Sequence, residues 1–273
     1  MMAKTWTIRS RLCGSFHRLV FLLALSILGS TSNQARAGVL LDLESVPLGT
    51  SLTNGVGIFQ HTSRKHRNPD AFLTTQNDHT ADGFVAAFNG ASANPAGNPE
   101  AIFSGGKTHT IVLGDVPTTT DGLYRVFLFD ANQNQPELDD HIDISMLQVF
   151  TSASASLTSI GQLAPPNANK IYDMDSIQDY TVRVDGSIGS GGADMYFFLP
   201  QSIFTAAGAT AATNVYLFYE YSNFNDGPDA WLLDKSLPYT NPNVPEPAAM
   251  ALWAVGGSMG MIWSKRRKRA KSA

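Results

Sequence analysis

The charge distribution divides the chain into three parts, and only the middle part has the composition of a folded domain. Of the 19 basic residues, eleven lie in residues 1–37 and 248–273, and neither of these ends contains an acidic residue. All 23 acidic residues lie between 38 and 247 with the other eight basic residues, giving this stretch a formal charge of -15. An acidic domain repels phosphate groups, which argues against a nucleic-acid-binding protein. About 200 residues suffice for one domain with a sizeable core.

The first 37 residues have the three parts of a secretory signal peptide. A basic region precedes the apolar stretch Leu19–Leu28, and small and polar residues follow it. Ala35 and Ala37 fit an A-x-A cleavage site, so we predict cleavage before Gly38. The alternative is an uncleaved anchor helix, for which the apolar stretch is short. The only cysteine, Cys13, lies in this segment, so the mature domain is predicted to have neither a disulfide nor a thiolate metal site.

The C-terminal segment is predicted to cross a membrane once. A linker over residues 241–247 ends in Pro245, Glu246 and Pro247, and an uncharged apolar stretch follows over 248–264. As a helix, its first sixteen residues, 248–263, would rise about 24 Å, just under the thickness of a bilayer core. The tail over 265–273 begins with the basic cluster Lys265, Arg266, Arg267, Lys268 and Arg269. Because such clusters stay in the cytoplasm, the acidic domain is predicted to lie outside it. A simple stop-transfer helix, without a role in sorting, is the alternative for this segment.

This order of parts, with a Pro-Glu-Pro motif followed by an apolar helix and a basic cluster, resembles the PEP-CTERM sorting signal of exported bacterial proteins. The resemblance covers about 30 residues at the C-terminus. It implies that a membrane-embedded exosortase recognises the tail, cleaves near Pro245–Pro247, and releases the protein or transfers it to the cell surface. It also implies a host that makes an exopolysaccharide or biofilm matrix. Residues 123–231 are similar to β-rich modules of unknown activity that precede such tails.

Short runs of β-branched and aromatic residues recur between turn signals over residues 38–240, and helical periodicity is scarce there. The runs and their long loops predict an all-β domain, a β-sandwich of jelly-roll kind. The segment Ser202–Thr213 is predicted to be one short helix or a loop. The predicted strands are Val39–Leu43, Gly83–Phe88, Thr108–Leu113, Leu123–Phe129, Ile142–Phe150, Tyr180–Val184, Met195–Leu199 and Asn214–Tyr221.

An oxygen-rich loop after one predicted strand is a candidate calcium site, because calcium prefers carboxylate, amide and carbonyl oxygens. The candidate ligands are Asp130, Asn132, Asn134 and Asp139. Their spacing is similar to the start of an EF-hand loop, but Gln135 replaces the required glycine and the closing glutamate is missing, which excludes an EF-hand. The alternative is that Asp and Asn serve only as turn formers.

A second oxygen-rich loop is a candidate ligand site. Asn225, Asp226 and Asp229 lie close to Trp231, and sugar sites combine such polar groups with an exposed aromatic ring. The alternative places Trp231 and the neighbouring strand tyrosines in the core. The basic patch His61–Arg67 is predicted to be a solvated loop, since its charges would repel a metal ion.

No motif of a hydrolase nucleophile or of a zinc protease is present in the sequence, so we predict a protein that is not an enzyme. The predicted function is that of an exported structural or adhesive β-module, associated with exopolysaccharide at the cell surface or in the matrix. The alternative is a secreted polysaccharide-active hydrolase, or a carbohydrate-binding module with structural calcium. Paired carboxylates in a cleft would distinguish the hydrolase.

Overall fold

The middle part of the chain folds as a β domain. The predicted cleavage residues Ala35 and Ala37, and the predicted linker, helix and basic cluster from residue 243 onward, lie outside the described residues. In the part of the chain that is described, no helix is both long enough and apolar enough to cross a membrane. A computed structural model of the chain describes residues 38–66, 69–77, 85–90, 101–102, 108–132, 141–186, 192–223 and 228–242.

The first of two sheets is built around one long central strand. Numbered in chain order, its strands are β1 (Val39–Asp42), β5 (Val85–Phe88), β7 (Ile111–Val112), β9 (His141–Ser152), β10 (Asn169–Asp173), β11 (Tyr180–Asp185) and β13 (Asn214–Ser222). The sheet order is β1-β11-β9-β13-β5, with β10 also beside β9 and β7 also beside β13. Only the pairing of β1 with β11 is parallel among the pairings described in this sheet.

The second sheet is antiparallel throughout its described pairings. Its strands are β2 (Ser51–Thr53), β3 (Ile58–Lys65), β4 (Asp70–Asn77), β6 (Ala101–Ile102), β8 (Tyr124–Asp130), β12 (Gly192–Pro200) and β14 (Pro228–Leu233). The order is β2-β3-β12-β8-β14-β4-β6, so β12, β8 and β14 are neighbours at its centre. The prediction of an all-β domain is therefore confirmed.

The core lies between the two sheets and consists largely of aromatic rings. Phe129 on β8 contacts Tyr219 on β13 with ring centroids 6.0 Å apart, and Tyr172 on β10 contacts Phe197 on β12 at 5.3 Å. These contacts join residues of different sheets, and all four rings are buried. Each buried side chain of this size contributes about 1.5–3 kcal/mol through the hydrophobic effect.

The outer face of each sheet carries a smaller apolar cluster under a covering segment. On the first sheet, Phe150 and Tyr216 share a cluster with Leu157 and Leu163 of the β9–β10 connection, which contains a 3-10 turn at Ile160–Gln162. On the second sheet, Leu128 and Phe198 share a cluster with Tyr239 and Leu237 of the segment that follows β14. The continuous apolar runs of β8 and β12 are explained by burial on both faces.

Each of the eight predicted strands overlaps a strand of the structure, and six strands were not predicted. The missed strands are β2, β3, β4, β6, β10 and β14. The segment Ser202–Thr213 contains the end of a short helix, α1 (Gln201–Ala206), followed by a turn. Strands β2 and β6 are very short, and β3 and β4 are rich in polar residues, so the apolar alternation of these four is weak.

The interpretation of His61–Arg67 as a solvated loop was wrong, because most of this segment is strand β3. Residues 58–65 pair with both β2 and β12. His61 and His66 are buried, and His61 Nδ1 contacts the carbonyl oxygen of Val46 at 2.7 Å. Only Arg64 and Lys65 of the patch's basic residues are seen at the surface, while Arg67 lies outside the described residues.

Candidate functional site

Four crossings between the sheets start and finish at one end of the domain. The ends of β4, β8, β11 and β13 and the starts of β5, β9, β12 and β14 lie there. These strands bring carboxylates to this end, which we call the acidic end and define by Asp130, Asp185, Asp194 and Asp229. Loops at one end of a two-sheet domain are a common place for binding residues, because the sheets hold them in position.

Asp194 is the most unusual residue of the acidic end. It lies near the start of β12, at an irregularity of the pairing with β3, and is 1% exposed. The backbone N–H of Ala131 donates to its Oδ2 atom at 2.7 Å. Its Oδ1 atom is buried and has no hydrogen-bond partner in the part of the chain that the structure describes. A buried polar atom without a partner costs free energy, so this atom requires an explanation.

Burial and neighbouring charges favour the protonated form of Asp194. Removal from water raises the pKa of its carboxyl to about 9, and the charges of Asp130, Asp185 and Asp229 add to the effect. The hydrogen bond from Ala131 acts in the opposite direction but is outweighed. In the absence of a cation, Asp194 is therefore a neutral acid at pH 7.

The structure brings residues of the two predicted loops together. Asp130 ends β8, and Asp229 lies near the start of the neighbouring strand β14. The backbone N–H of Asn132 donates to Asp229 Oδ1 at 2.9 Å. Asp130 and Asp229 are 8% and 2% exposed, so both carboxylates are largely removed from water. Sequence spacing could not show this, because the two residues are almost one hundred positions apart.

A group of hydroxyls connects the two sheets beside Asp229. Thr75 on β4 lies opposite Asp229, and its Oγ1 atom is 2.7 Å from the hydroxyl oxygens of both Tyr219 and Tyr221. The two tyrosine rings stack with centroids 4.9 Å apart. Burial raises the pKa of both phenols, and the negative charge of Asp229 raises it further. These tyrosines are therefore neutral core residues that tie β13 to β4.

A charged network lies on the outer face of the first sheet near the same end. Arg183 makes a two-pronged ion pair with Asp143, with distances of 2.8 Å and 2.9 Å. Asn223, whose φ is 63°, donates from Nδ2 to Asp143 Oδ2 at 2.7 Å. His141 Nε2 lies 3.9 Å from the same carboxylate. The hydrogen bond with Asp143 raises the pKa of Arg183, and the opposite charges of these two residues pair with each other.

The predicted ligand site at Trp231 is corrected by the structure. Trp231 is 0% exposed and contacts Phe129 and Tyr219, with ring centroids 4.9 Å and 5.7 Å away. A fully buried ring cannot stack on a sugar at the surface, so Trp231 is a core residue. Asp229 is buried as well, and Asn225 and Asp226 lie outside the described residues.

The predicted calcium ligands are partly described. Asp130 and Asn132 lie at the acidic end, whereas Asn134 and Asp139 lie outside the described residues. Across the described ranges, no group of three or more His, Cys, Asp or Glu side chains is arranged to hold a metal ion. Any cation here therefore needs ligands of other types as well.

Asp194 was not predicted as a site residue, although the sequence contains a signal for it. It is followed by the apolar run Met195–Leu199, and the Gly-rich stretch Gly189–Gly192 precedes it. When a strand is buried on both faces, an acidic residue near its start is buried as well. Such a carboxyl must be hydrogen-bonded, paired with a charge or protonated. Its neighbours on other strands could not be identified from the sequence.

Two open grooves on the described surface lie away from Asp194. The larger, about 660 Å³, is formed by the turn before β8 and by α1, and includes Leu123, Tyr124 and Thr205. Its lining contains no carboxylate, imidazole or amine. The smaller, about 340 Å³, contains Asp173 as its single carboxylate. Neither groove combines two carboxylates, the arrangement that glycoside hydrolysis requires.

No family model matches the chain, and neither the curated proteins nor the solved structures contain a match to it.

Proposed function

We propose that this protein is an exported, exosortase-sorted module of the bacterial cell surface or extracellular matrix, with a structural or adhesive role. The observation that carries the proposal is the order of parts at the C-terminus. Pro245-Glu246-Pro247 comes three residues after the last described residue, Pro242, and the apolar stretch and the basic cluster follow directly. An apolar stretch followed by basic residues indicates a membrane anchor, with the folded domain outside the cytoplasm.

The boundaries of the β domain support two processing events. Strand β1 begins at Val39, one residue after the predicted new N-terminus at Gly38. At the other end, the described domain ends at Pro242, before the Pro-Glu-Pro motif. Removal of both ends would therefore leave the strands of the domain complete.

The chain leaves the β domain far from the acidic end, which supports an acidic end that faces away from the membrane. Tyr239 forms a bridge with Thr119, and Asn241 Nδ2 donates to Asp121 Oδ2. These contacts lie beside the start of β8, whereas Asp130 ends the same strand. Seven residues of strand span about 20 Å, so the exit and the acidic end are on opposite sides of the domain. A tail anchored in a membrane would direct the acidic end away from it.

We propose that the two sheets form a sandwich of jelly-roll kind, followed by a single transmembrane helix over 248–264. The frequent crossing between sheets supports the first part, since β11, β12, β13 and β14 alternate between them. The uncharged composition of 248–264 supports the second. By the PEP-CTERM resemblance, an exosortase is the processing partner and an exopolysaccharide is the material with which the module associates.

Replacement of the basic cluster tests the sorting proposal. We expect the full chain with Lys265–Arg269 changed to serine to accumulate as an unprocessed membrane form in its native host, because the tail loses its cytoplasmic charges. Lys271→Ser is the matched control and should be processed normally. Cell fractionation with immunoblotting would measure both. Equal processing of the cluster variant and the wild type would contradict the proposal.

A further inference from the structure

The larger of the two open grooves lies beside the point where the described chain ends. We call it the exit groove and define it by Leu123, Tyr124, Pro200 and Thr205. Tyr124 and Pro200 are paired residues of β8 and β12, and Thr205 belongs to α1. Its volume of about 660 Å³ is within the range of sites that hold small ligands, roughly 300–1,000 Å³.

The exit groove presents apolar side chains to water in the part of the chain that the structure describes. Leu123 is 58% exposed. Tyr124, beside it, is half-buried, and its ring lies edge-on to Phe198 with centroids 6.4 Å apart. The lining contains no charged residue. Because covering apolar surface in a concave site is favourable, the groove suits an uncharged, apolar stretch of chain better than an ion.

The course of the chain after the clasping segment leads to this groove. Tyr239 forms a parallel bridge with Thr119, and two residues further on Asn241 donates to Asp121. The two segments therefore run side by side in the same direction, and the residue that follows Asp121 is the first of the groove lining. Pro242, the last described residue, is still buried, so the chain has not left the surface of the domain there.

The sequence that follows has the composition of a groove-binding segment. It reads Val244-Pro245-Glu246-Pro247, and each proline restricts its own φ and favours an extended conformation for the residue before it. A segment restricted in this way loses little conformational entropy on binding, and proline-rich segments commonly pack in grooves lined by aromatic residues.

The distance to be covered is short. The five residues 243–247 span about 15 Å in a polyproline II conformation. Leu123 lies at most about 7.6 Å from Asp121, measured between Cα atoms, because two peptide units separate them. Since Asp121 contacts Asn241, the segment is long enough to enter the groove and to lie along it.

We propose that residues 243–247 dock in the exit groove, with proline rings packed on Leu123 and Tyr124. This docking involves only the folded domain and the five residues after it, so it does not depend on the sorting proposal. It would restrict the access of any protease to the Pro-Glu-Pro motif until the segment leaves the groove.

Hydroxyl-radical footprinting of the full chain in detergent tests the docking. Mass spectrometry measures how fast each side chain is oxidised, which reports its exposure to water. Leu48 is the internal reference, because it is a leucine with the same exposed fraction as Leu123, 58%. We expect Leu123 to be oxidised about five-fold more slowly than Leu48, which corresponds to a segment that is docked for about four-fifths of the time.

A double substitution in the segment makes the test specific. Pro245→Gly with Pro247→Gly removes both rings and frees the backbone, which raises the entropy lost on docking. We expect the oxidation rate of Leu123 in this variant to rise to that of Leu48. The rate of Leu48 itself should stay unchanged, which shows that the domain remains folded.

Ala248→Gly with Ala249→Gly is the matched control, because it places two glycines directly after the segment and leaves both prolines in place. Leu123 should stay protected in it. Equal oxidation of Leu123 and Leu48 in the wild type, or unchanged protection in the proline variant, would overturn the proposal. Protection of Leu123 that increases with chain concentration would also overturn it, since a second copy would then cover the groove.

Discussion

Asp194 carries a carboxyl group to which water has almost no access, so the free energy needed to ionise it there determines its protonation state. The charges of Asp130, Asp185 and Asp229 act on its pKa, and one backbone N–H from Ala131 is its described hydrogen-bond donor. A buried carboxylate in such a place either takes up a proton or is neutralised by a cation. Both outcomes depend on solution conditions, so a single residue makes the stability of the domain sensitive to pH.

In the presence of EDTA, we expect Asp194→Asn to be more stable than the wild type, by an amount that grows with pH. The pKa of Asp194 is raised to about 9 in the folded state, against about 3.9 in an unfolded chain. Between these values the folded state holds one more proton, so this contribution to stability is present at low pH and is lost as pH rises toward 9. The slope is about 1.4 kcal/mol per pH unit.

Urea unfolding of the full chain in detergent at pH 5, 7 and 9 measures this difference in the free energy of unfolding. Other titrating groups are common to both proteins and cancel in the comparison. Asp115→Asn is the control, because Asp115 is half exposed and pairs with Lys235 on the surface, and it should show a constant difference from the wild type over the same range. Parallel curves for the wild type and Asp194→Asn would show that the carboxyl is not a buried neutral acid.

The sequence allows the roles of some single residues to be predicted and not others. The aromatic residues of β8 and β12 were correctly placed in strands, because uninterrupted apolar runs require burial. Trp231 was proposed as a ligand residue because it follows a polar loop, but strand β14 turns its ring into the core between Phe129 and Tyr219. The neighbours of a residue on adjacent strands decide such cases, and one sequence does not contain them.

At the scale of elements, the segment after β14 acts as a clasp over the outer face of the second sheet. His66 Nδ1 lies 2.8 Å from Asp234 Oδ2, and Tyr239 donates to the backbone oxygen of Asp234 at 2.9 Å. Although burial opposes it, hydrogen bonds from Ser236 and His66 lower the pKa of Asp234, so this carboxylate is ionised and accepts the Nδ1–H of His66. The clasp, defined as residues 234–239, covers apolar side chains that would otherwise meet water.

We expect Tyr239→Ala to destabilise the domain by about 3–5 kcal/mol, since it leaves a cavity beneath the clasp. The ring of Tyr239 is 3% exposed and lies edge-on to Tyr196, with centroids 5.6 Å apart. Tyr239→Phe keeps the ring and loses one hydrogen bond, which costs about 1 kcal/mol. Urea unfolding of the full chain measures both.

Leu48→Ala is the control for the clasp, because Leu48 is an apolar residue outside the clasp that is 58% exposed. It should change the free energy of unfolding by less than about 0.5 kcal/mol. A similar small effect for Tyr239→Ala would mean that the segment does not pack on the sheet as described.

Strands were predicted correctly wherever β-branched and aromatic residues form short runs, whether the apolar pattern is continuous or alternating. The eight strands predicted from such runs all overlap strands of the structure. Strands β3 and β4 were missed, because Gln, His, Thr and charged residues interrupt their pattern. Their place in the sheet is fixed by pairing with β12 and β14, a tertiary interaction that local periodicity does not reveal.

In the whole chain, an acidic β domain lies between two segments that are apolar and basic in composition. The division could be predicted from the sequence, because charge and hydropathy change sharply at both boundaries. The opposite placement of the chain exit and the acidic end could not, since it depends on the course of β8 and on the contacts of Tyr239 and Asn241. This placement would leave the acidic end free when the tail is held in a membrane.

Intact-mass analysis tests whether both ends are removed in the course of export and sorting. The protein would be recovered from the membrane and extracellular fractions of its native host. We expect a species that starts at Gly38 and ends near Pro245–Pro247. A mass that retains the apolar stretch and the basic cluster in every fraction would contradict it, and the chain would then be an ordinary membrane-anchored β domain.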